Sequence, residues 1–363
     1  MTDARQRSYW HRTGLVVSAS AMLLVVATTD GCSSDPNTTS TTAATTSSSA
    51  VSSSSGSGGA GGGGETGGAG GGSATFEAQA ACNGETFNTP FDATPDPEGL
   101  NIYFTALDPT GKAGVFKGPS KGGGPCAPIH VGDPFVAPFN LAISTDSAKV
   151  YVADQGSEEA NDAGLIFTLA TVGGSAPEVL TGTEGMKPRG LDTLNSQTGD
   201  ILYFTGKDKA TGAVGVFTFG DGKLNPVATG APFVDPSGIA VTAQGISYVC
   251  DTIGTPAGKA NIIMVDQQGM AKVYVSGLRV SYPCGVALTP NDQTLLVSGL
   301  DPLTETDAII KISLELNTVE YLTKDINIFT EAAGMHRAKS AKNFAWVDSK
   351  ANNTGTVFNV TVE

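Results

Sequence analysis

The 363-residue chain is poor in charge and in histidine. Only 15% of its residues are charged, well below the roughly 25% of an average soluble domain. The 21 basic residues are outnumbered by 35 acidic ones, for a formal net charge of −14. That balance gives no electrostatic footprint for nucleic acid, which requires clustered Lys and Arg. Three histidines in the whole chain leave little room for a histidine-based metal site or catalytic triad.

Several sequence motifs that carry chemistry are also missing. The chain has no CxxC pair for a zinc site, no nucleophile elbow, no P-loop and no dinucleotide fingerprint. These absences favour a binding or interaction module over an enzyme. The alternatives that stay open are a metal-dependent hydrolase or lyase and a purely structural protein of the cell envelope.

The first 31 residues have the three parts of an export signal. Arg5, Arg7 and Arg12 form a basic start, and an apolar stretch follows from residue 14 to residue 27. This stretch is too short for a membrane span, which needs about 20 apolar residues. It leads into Gly31-Cys32, which resembles the cleavage site of bacterial lipoprotein signal peptides. The resemblance implies a lipid on Cys32 and anchoring in the bacterial cell envelope, at the outer membrane or the periplasmic face; ordinary secretion and an uncleaved anchor are the alternatives.

Residues 32–75 have the composition of a flexible linker. From residue 33 to residue 55, 16 of 23 residues are Ser or Thr, and glycine dominates from 56 to 72. Such a segment has too few apolar side chains to offset the entropy of ordering. We therefore predict a signal peptide at 1–31, a lipidated Cys32 with a disordered linker to residue 75, and a folded domain at 76–363.

The folded domain is built from a repeat of 47–50 residues. Each unit opens with Pro-x-Gly or a degenerate form of it, followed by short β-branched and aromatic runs between Gly, Asn and Asp turns. Such runs predict antiparallel strands, four in each unit. The openings begin at Pro90, Pro138, Pro188, Pro236, Pro283 and Ala332.

Six units of four strands predict an all-β fold, a six-bladed β-propeller. The sixth unit ends after its third strand, and an unpaired outer edge would be a liability. Residues 77–84 occupy the place of a fourth strand before the first unit. We therefore expect this N-terminal strand to complete the last blade and close the ring.

The repeat resembles the NHL and gluconolactonase-like group of six-bladed propellers. The segments PSGIAV…SYVCD (236–251) and PFNLAIS…VYVAD (138–154) carry the resemblance. In the gluconolactonase family the metal ligands lie just before the opening glycines. Those positions hold Phe91, Phe139, Arg189, Ser237, Cys284 and Ala333 here. A lactonase ligand set is therefore missing unless Asp92 and Asn140 replace it from one position later.

Three aspartates share one register at the end of the second strand, on blades two, four and six. They are Asp154, Asp251 and Asp348, spaced 97 residues apart. Carboxylates around a channel suit a hard cation such as Ca²⁺, and we name them as candidate metal ligands. The alternative is that each aspartate caps the turn after its strand by accepting backbone N–H groups.

Asp192 and His336 are the most unusual substitutions within the repeat. They occupy a position of the first strand where other blades have Ala142, Ala240 and Ala287. Blades three and six lie on opposite sides of a six-bladed ring, so the two side chains are too far apart for a direct acid–base pair. We predict that both face the channel and contact a bound small molecule or protein; satisfied polar residues in a wet channel are the alternative.

Apart from Cys32, the chain has four cysteines: Cys82, Cys126, Cys250 and Cys284. Four cysteines in an exported domain favour two disulfides, with three possible connectivities. Cys250 ends one second strand, and Cys284 precedes the next first strand on the same face. We therefore predict Cys250–Cys284 and, by elimination, Cys82–Cys126.

Overall fold

The computed structural model describes residues 76–157, 164–322 and 331–362. The predicted signal, Cys32 and the linker up to residue 75 lie outside these ranges. Within them, no helix is long and apolar enough to cross a membrane. The described residues form 24 strands, arranged as six sheets of four, and one short 3-10 helix at Ala351–Asn353.

The six sheets are the blades of the predicted propeller, and the strands in each pair antiparallel. In five blades they follow chain order from the inner edge outward, and in the sixth the N-terminal strand forms the outer edge. Blade one contains β2 (Asn88–Pro95), β3 (Asn101–Leu107), β4 (Ala113–Pro119) and β5 (Ala127–Val131). Blade two contains β6 (Pro138–Ile143), β7 (Lys149–Asp154), β8 (Leu165–Ala170) and β9 (Glu178–Val179). Blade three contains β10 (Leu191–Ser196), β11 (Gly199–Lys207), β12 (Val214–Gly220) and β13 (Lys223–Thr229).

The second half of the ring repeats this arrangement. Blade four contains β14 (Pro236–Val241), β15 (Ser247–Asp251), β16 (Ala260–Val265) and β17 (Ala271–Leu278). Blade five contains β18 (Val286–Leu288), β19 (Thr294–Leu300), β20 (Asp307–Ser313) and β21 (Val319–Leu322). Blade six contains β22 (Ala332–Arg337), β23 (Asn343–Asp348), β24 (Thr356–Val362) and, as its outer strand, β1 (Phe76–Asn83).

The closure of the ring by the N-terminal strand is confirmed. β1 pairs antiparallel with β24, with Ala78 opposite Val360 and Asn83 opposite Thr356. Both predicted disulfides are present as well. Cys82–Cys126 joins the closing strand to blade one, and Cys250–Cys284 joins blade four to blade five.

Burial falls from the inner strands to the outer ones. Every residue of β14 is buried, because its faces are covered by the two neighbouring blades, whereas every residue of the outer strand β13 is exposed or partly exposed. The core consists of the seams between blades. One seam, for example, packs Tyr103 of blade one against Leu141 and Phe167 of blade two. Apolar burial at these seams stabilises the ring and leaves the innermost strands to line a central channel.

Candidate functional site

The inner strands approach one another closely where each unit opens. Gly190, Gly238, Gly285 and Gly334 occupy the third position of the opening in blades three to six. A Cβ on Gly238 would collide with the carbonyl oxygen of Cys284 in the next blade. Glycine is required there because only a residue without a side chain admits the neighbouring backbone.

Blades one and two have polar side chains at this position, and both connect neighbouring blades. Asp92 Oδ2 accepts a hydrogen bond from the Leu141 amide of blade two at 3.0 Å. Asn140 Oδ1 accepts one from the Leu191 amide of blade three at 2.7 Å. Both side chains are buried. The two residues that could have replaced the lactonase ligands therefore use these oxygens to hold inner strands together.

His336 lies between these two side chains. Its Nε2 is 3.0 Å from Asp92 Oδ2 and 3.3 Å from Asn140 Nδ2. The Asn140 amide is oriented by its bond from Leu191, so Nδ2 faces the imidazole as a donor. When the Asp92 carboxylate is ionised, its Oδ2 accepts hydrogen bonds and has no proton to donate. Nε2 can thus donate to Asp92 when it carries a proton, or accept from Asn140 when it does not, but it cannot do both.

The surroundings of His336 favour the protonated form. Burial of the ring lowers its pKa, but the Asp92 charge and hydrogen bond, together with the Asp192 charge, outweigh this effect, and nearby Lys339 opposes them only weakly. The net result is that the pKa of His336 is raised above its ordinary value. The sequence placed His336 in the channel, but it did not identify Asp92 as its partner.

Asp192 lies in the predicted register, opposite Tyr203 on β11, as His336 lies opposite Ala345 on β23. Its Oδ2 accepts the Val241 amide of blade four at 2.8 Å, and its Oδ1 accepts the Thr193 amide at 2.8 Å. Asp192 and His336 make no direct pair, as expected from blades three and six.

Lys339 of blade six connects these opposite sides. Its Nζ is 2.6 Å from Asp192 Oδ1, and the two side chains are 24% and 10% exposed. The ion pair therefore crosses one mouth of the channel, on the face that carries the turns between first and second strands. Lys339 follows β22 and has no counterpart in the repeat, which is why the sequence did not reveal it.

A small cleft opens beside this ion pair. The space that it encloses is about that of one water molecule, and the rest is open to solvent. Its walls come from the inner strands and following turns of blades one, two, three and six. The residues that line it include Thr94, Pro95, Ala142, Ile143, Asp192 and Lys339. Arg337 also lines the cleft, but its guanidinium pairs with Asp292 at 2.9 Å and donates to the Thr289 carbonyl at 2.6 Å.

An aromatic pair lies at the opposite mouth. The Phe139 ring of blade two and the Tyr282 ring, which precedes β18 of blade five, have centroids 5.3 Å apart and are tilted by 56°. Phe139 is buried. Since blades two and five lie opposite each other, this contact crosses the channel. The two mouths thus differ: one is crossed by an aromatic pair and the other by an ion pair with a cleft beside it.

Asp154, Asp251 and Asp348 all accept backbone hydrogen bonds at the face of the aromatic contact. Asp154 accepts the Val136, Ala137 and Gly156 amides at 2.8 to 3.0 Å. Asp251 and Asp348 accept equivalent amides that precede the inner strands of their own blades. Burial raises the pKa of Asp154 and of Asp251, and the amides that contact each carboxylate partly offset it.

The three aspartates therefore engage in the turn-capping that the sequence offered as the alternative to a metal site. Within residues 76–157, 164–322 and 331–362, no three Asp, Glu, His or Cys side chains are grouped so that they could hold a metal ion. A divalent cation in the channel stays a prediction, and these three carboxylates do not supply it with a shared ligand set.

No protein family model and no curated protein matches the chain. Solved structures do match it in fold. A structural genomics protein of unknown function from Bacteroides thetaiotaomicron is 10% identical, with a TM-score of 0.56 over 80% of this chain and 77% of the other. The structure of U3-55K is 12% identical, with a TM-score of 0.50 over 78% of this chain and 98% of the other. A TolB structure from Agrobacterium tumefaciens is also 12% identical, with a TM-score of 0.49 over 80% and 99%.

At these identities the likeness concerns the fold alone. The first two structures support a β-propeller, a fold that is compatible with an interaction module and that hosts many unrelated functions.

Proposed function

We propose that the protein is an exported, membrane-tethered β-propeller that binds a small molecule at the channel mouth beside Lys339 and Asp192. The observation that carries the proposal is the ion pair across this mouth, where Lys339 Nζ and Asp192 Oδ1 are 2.6 Å apart. The charged groups at this mouth depart from the repeat, in which the position of Asp192 is alanine in three blades. Side chains that depart from a structural repeat are available for a purpose other than building the blade.

The tether is part of the same proposal and rests on the sequence. In this proposal segment 1–31 directs export, and a lipid on Cys32 is the attachment to the membrane. The Ser/Thr/Gly-rich linker then holds the propeller away from the membrane surface. Two disulfides in the ring are consistent with an oxidising compartment. Labelling of the full chain by a fatty-acid analogue in a bacterial host, and its loss in Cys32→Ser, tests the anchor. Equal labelling of both proteins would refute it.

Binding is tested on the full chain by thermal shift with a small-molecule library. We expect at least one compound to raise the melting temperature, because a ligand that binds only the folded state stabilises it by mass action. Lys339→Gln should lose that response. Lys342→Gln is the matched control, since Lys342 is exposed in the turn that follows β22 and does not line the cleft. A response that survives Lys339→Gln would place the ligand elsewhere.

A metal-dependent hydrolase or lyase at the channel mouth is the second candidate, with Ca²⁺ as the cation the sequence suggested. One observation favours it: His336 is paired through Nε2 with Asp92, while Nδ1 makes no hydrogen bond within the part of the chain that the structure describes. Such a ring could act as a general base. Hydrolysis of lactones and esters by the full chain, lost in His336→Gln, would establish this candidate, and inactivity on both classes with and without Ca²⁺ would exclude it.

A further inference from the structure

We propose that the Cys82–Cys126 disulfide is the mechanical stop of the ring: it passes the pull of the membrane tether from the closing strand to blade one, so that the ring is not peeled open. This role rests on the tether of the proposed function and names the bond that carries its load. Three features support it: the point where residues 1–75 join the ring, the way β1 is held, and the seat of the disulfide.

Residues 1–75 lead into the ring through β1. This strand begins at Phe76 and is the outer strand of blade six, where its neighbour is β24. The other three strands of blade six, β22 to β24, come from the C-terminal end of the chain, so the pairing of β1 with β24 is what closes the ring. A pull on the segment before Phe76 acts first on this pairing. Loss of β1 would leave β24 as an unpaired edge and open the ring.

The first part of β1 is held weakly. Its pairing with β24 runs without interruption only to Ala80, and the register shifts before Cys82. Glu77, Gln79 and Ala80 are exposed and Ala78 is only partly buried, so little apolar surface fixes this stretch. A strand that is pulled from its end separates pair by pair, and each hydrogen bond contributes only a little to stability. Residues 76–81 are therefore the part of the ring that the tether would detach first.

The disulfide lies directly after this stretch, and its seat is built into blade one. Cys82 and Cys126 are both buried. A Cβ on Gly118 of β4 would collide with both sulfur atoms, so the disulfide packs directly on the backbone of that strand. Glycine at this position gives the disulfide its space.

The chain around the disulfide is anchored in the core of blade one. Thr86 Oγ1 donates a hydrogen bond to the Cys126 carbonyl oxygen at 2.5 Å. Phe87 is fully buried, and the centroid of its ring lies 4.7 Å from that of Phe104. A load that reaches the disulfide therefore passes directly to a packed blade. The chain between the two cysteines, a sequence separation of 44, is bypassed.

The test pulls single molecules of the full chain in optical tweezers. The chain is produced without lipid, so that the thiols of Cys32 and of Gln197→Cys serve as handles. Gln197 is exposed in the turn between the first and second strands of blade three, away from both disulfides. With both disulfides intact, we expect a first reversible step of no more than about 20 Å, the extended length of residues 76–81. A lasting stop at the same force should follow.

Removal of the disulfide should shorten this stop. For Cys82→Ala with Cys126→Ala, we expect the lifetime of the ring at that force to fall at least about tenfold, in line with the stabilisation that a native disulfide provides. Cys250→Ala with Cys284→Ala is the matched control. It removes a buried disulfide with a sequence separation of 34, between blades four and five, which do not contain β1. The control should keep both the first step and the lifetime of the stop.

The proposal is overturned if the two double variants have the same lifetime under load. It is also overturned if the chain with both disulfides extends by much more than about 20 Å in its first step or shows no stop after it. The second outcome needs no cysteine removed from the ring, so the experiment stays decisive should Cys82→Ala with Cys126→Ala fail to fold. Because the fatty-acid label on Cys32 tests the anchor separately, a failed stop and a failed tether are distinguished.

Discussion

The propeller uses its aspartates in two different ways. The turn aspartates (Asp154, Asp251 and Asp348) accept amides of the loops that lead into their own blades. The channel carboxylates (Asp92 and Asp192) accept amides of the next blade and also pair with a charged or chargeable side chain. The first set is satisfied by the backbone of its own blade, and the second set bonds to other blades.

The difference teaches how to distinguish structure from function in a repeat. Turn aspartates recur in one register because the backbone of each such blade presents the same donors. Channel carboxylates stand where the repeat has glycine or alanine, so the fold does not demand them at every blade. The residues that break the pattern are therefore the better candidates for a site.

The largest expected effect is on stability, from loss of a turn aspartate. Asp348 is fully buried, and it accepts the amides of Glu331, Lys350 and Ala351. Asp348→Ala leaves these donors without their acceptor, and we expect the free energy of unfolding to fall by about 3 kcal/mol. Chemical denaturation of the full chain measures the change.

Glu178→Gln serves as the control, because Glu178 is exposed on the outer strand of blade two. A surface change of this kind alters stability by no more than about 0.5 kcal/mol. An Asp348→Ala protein as stable as the control would mean that water replaces the carboxylate, and the assignment of Asp348 to turn capping would be wrong.

The next effect concerns the pH dependence of stability at His336. Its pKa is raised in the folded state by Asp92, despite burial. A raised pKa means that the folded state holds the proton more tightly than the unfolded chain does. The stabilisation is therefore complete below the ordinary pKa of about 6.5 and is lost as the pH rises through the folded value.

We expect His336→Gln to abolish the loss of unfolding free energy that the wild type shows as the pH rises through the raised pKa of His336. His130→Gln is the control. His130 lies on the outer strand of blade one, away from the channel, and its Nε2 contacts the carbonyl oxygen of Asp133. If both variants keep the wild-type pH profile, His336 does not titrate against Asp92. Nitrogen chemical shifts of the imidazole would then identify the partner that Nε2 keeps.

A smaller effect on stability is expected from the ion pair at the mouth. Lys339→Gln removes a partly exposed pair, and such pairs contribute about 1 kcal/mol or less. The same variant should lose ligand binding. Lys339→Gln is therefore expected to affect binding more than stability, whereas Asp348→Ala is expected to affect mainly stability. A large loss of stability in Lys339→Gln would make the pair a structural tie between blades three and six.

Much of the fold was predictable from the sequence because the repeat encodes it. The period, the strand order and the missing outer strand of blade six were sufficient to predict closure by β1, since an unpaired edge is unfavourable. The same register logic predicted Cys250–Cys284. These features depend on local pattern and on the ring's closure, and both are visible in one sequence.

The site was only partly predictable. Asp192 and His336 were recognised as departures from alanine, but their partners were not. Asp92 lies 244 positions before His336 in the chain, and Lys339 reaches the opposite blade through a long flexible side chain. Neither contact follows from the blade pattern: Asp92 and His336 meet where blade one packs against blade six, and the Lys339–Asp192 distance across the channel depends on how tightly all six inner strands pack. The aspartates that the pattern did align were the ones that cap turns.

The smallest expected effect is the response of a turn aspartate to Ca²⁺. Asp251 is buried and accepts the Val234 and Asp235 amides at 2.6 and 3.0 Å, so one lone pair on each of its oxygens is directed to the protein. We expect calorimetric titration with Ca²⁺ to give the same result for wild type and for Asp251→Asn, whatever heat the wild type produces. Asp192→Asn is titrated alongside as the channel counterpart. A Ca²⁺ signal that disappears in Asp251→Asn, at an unchanged unfolding midpoint, would return the turn aspartates to the role of metal ligands and remove the distinction between the two sets. A signal that disappears only in Asp192→Asn would place the cation in the channel, where carboxylates reach across blades.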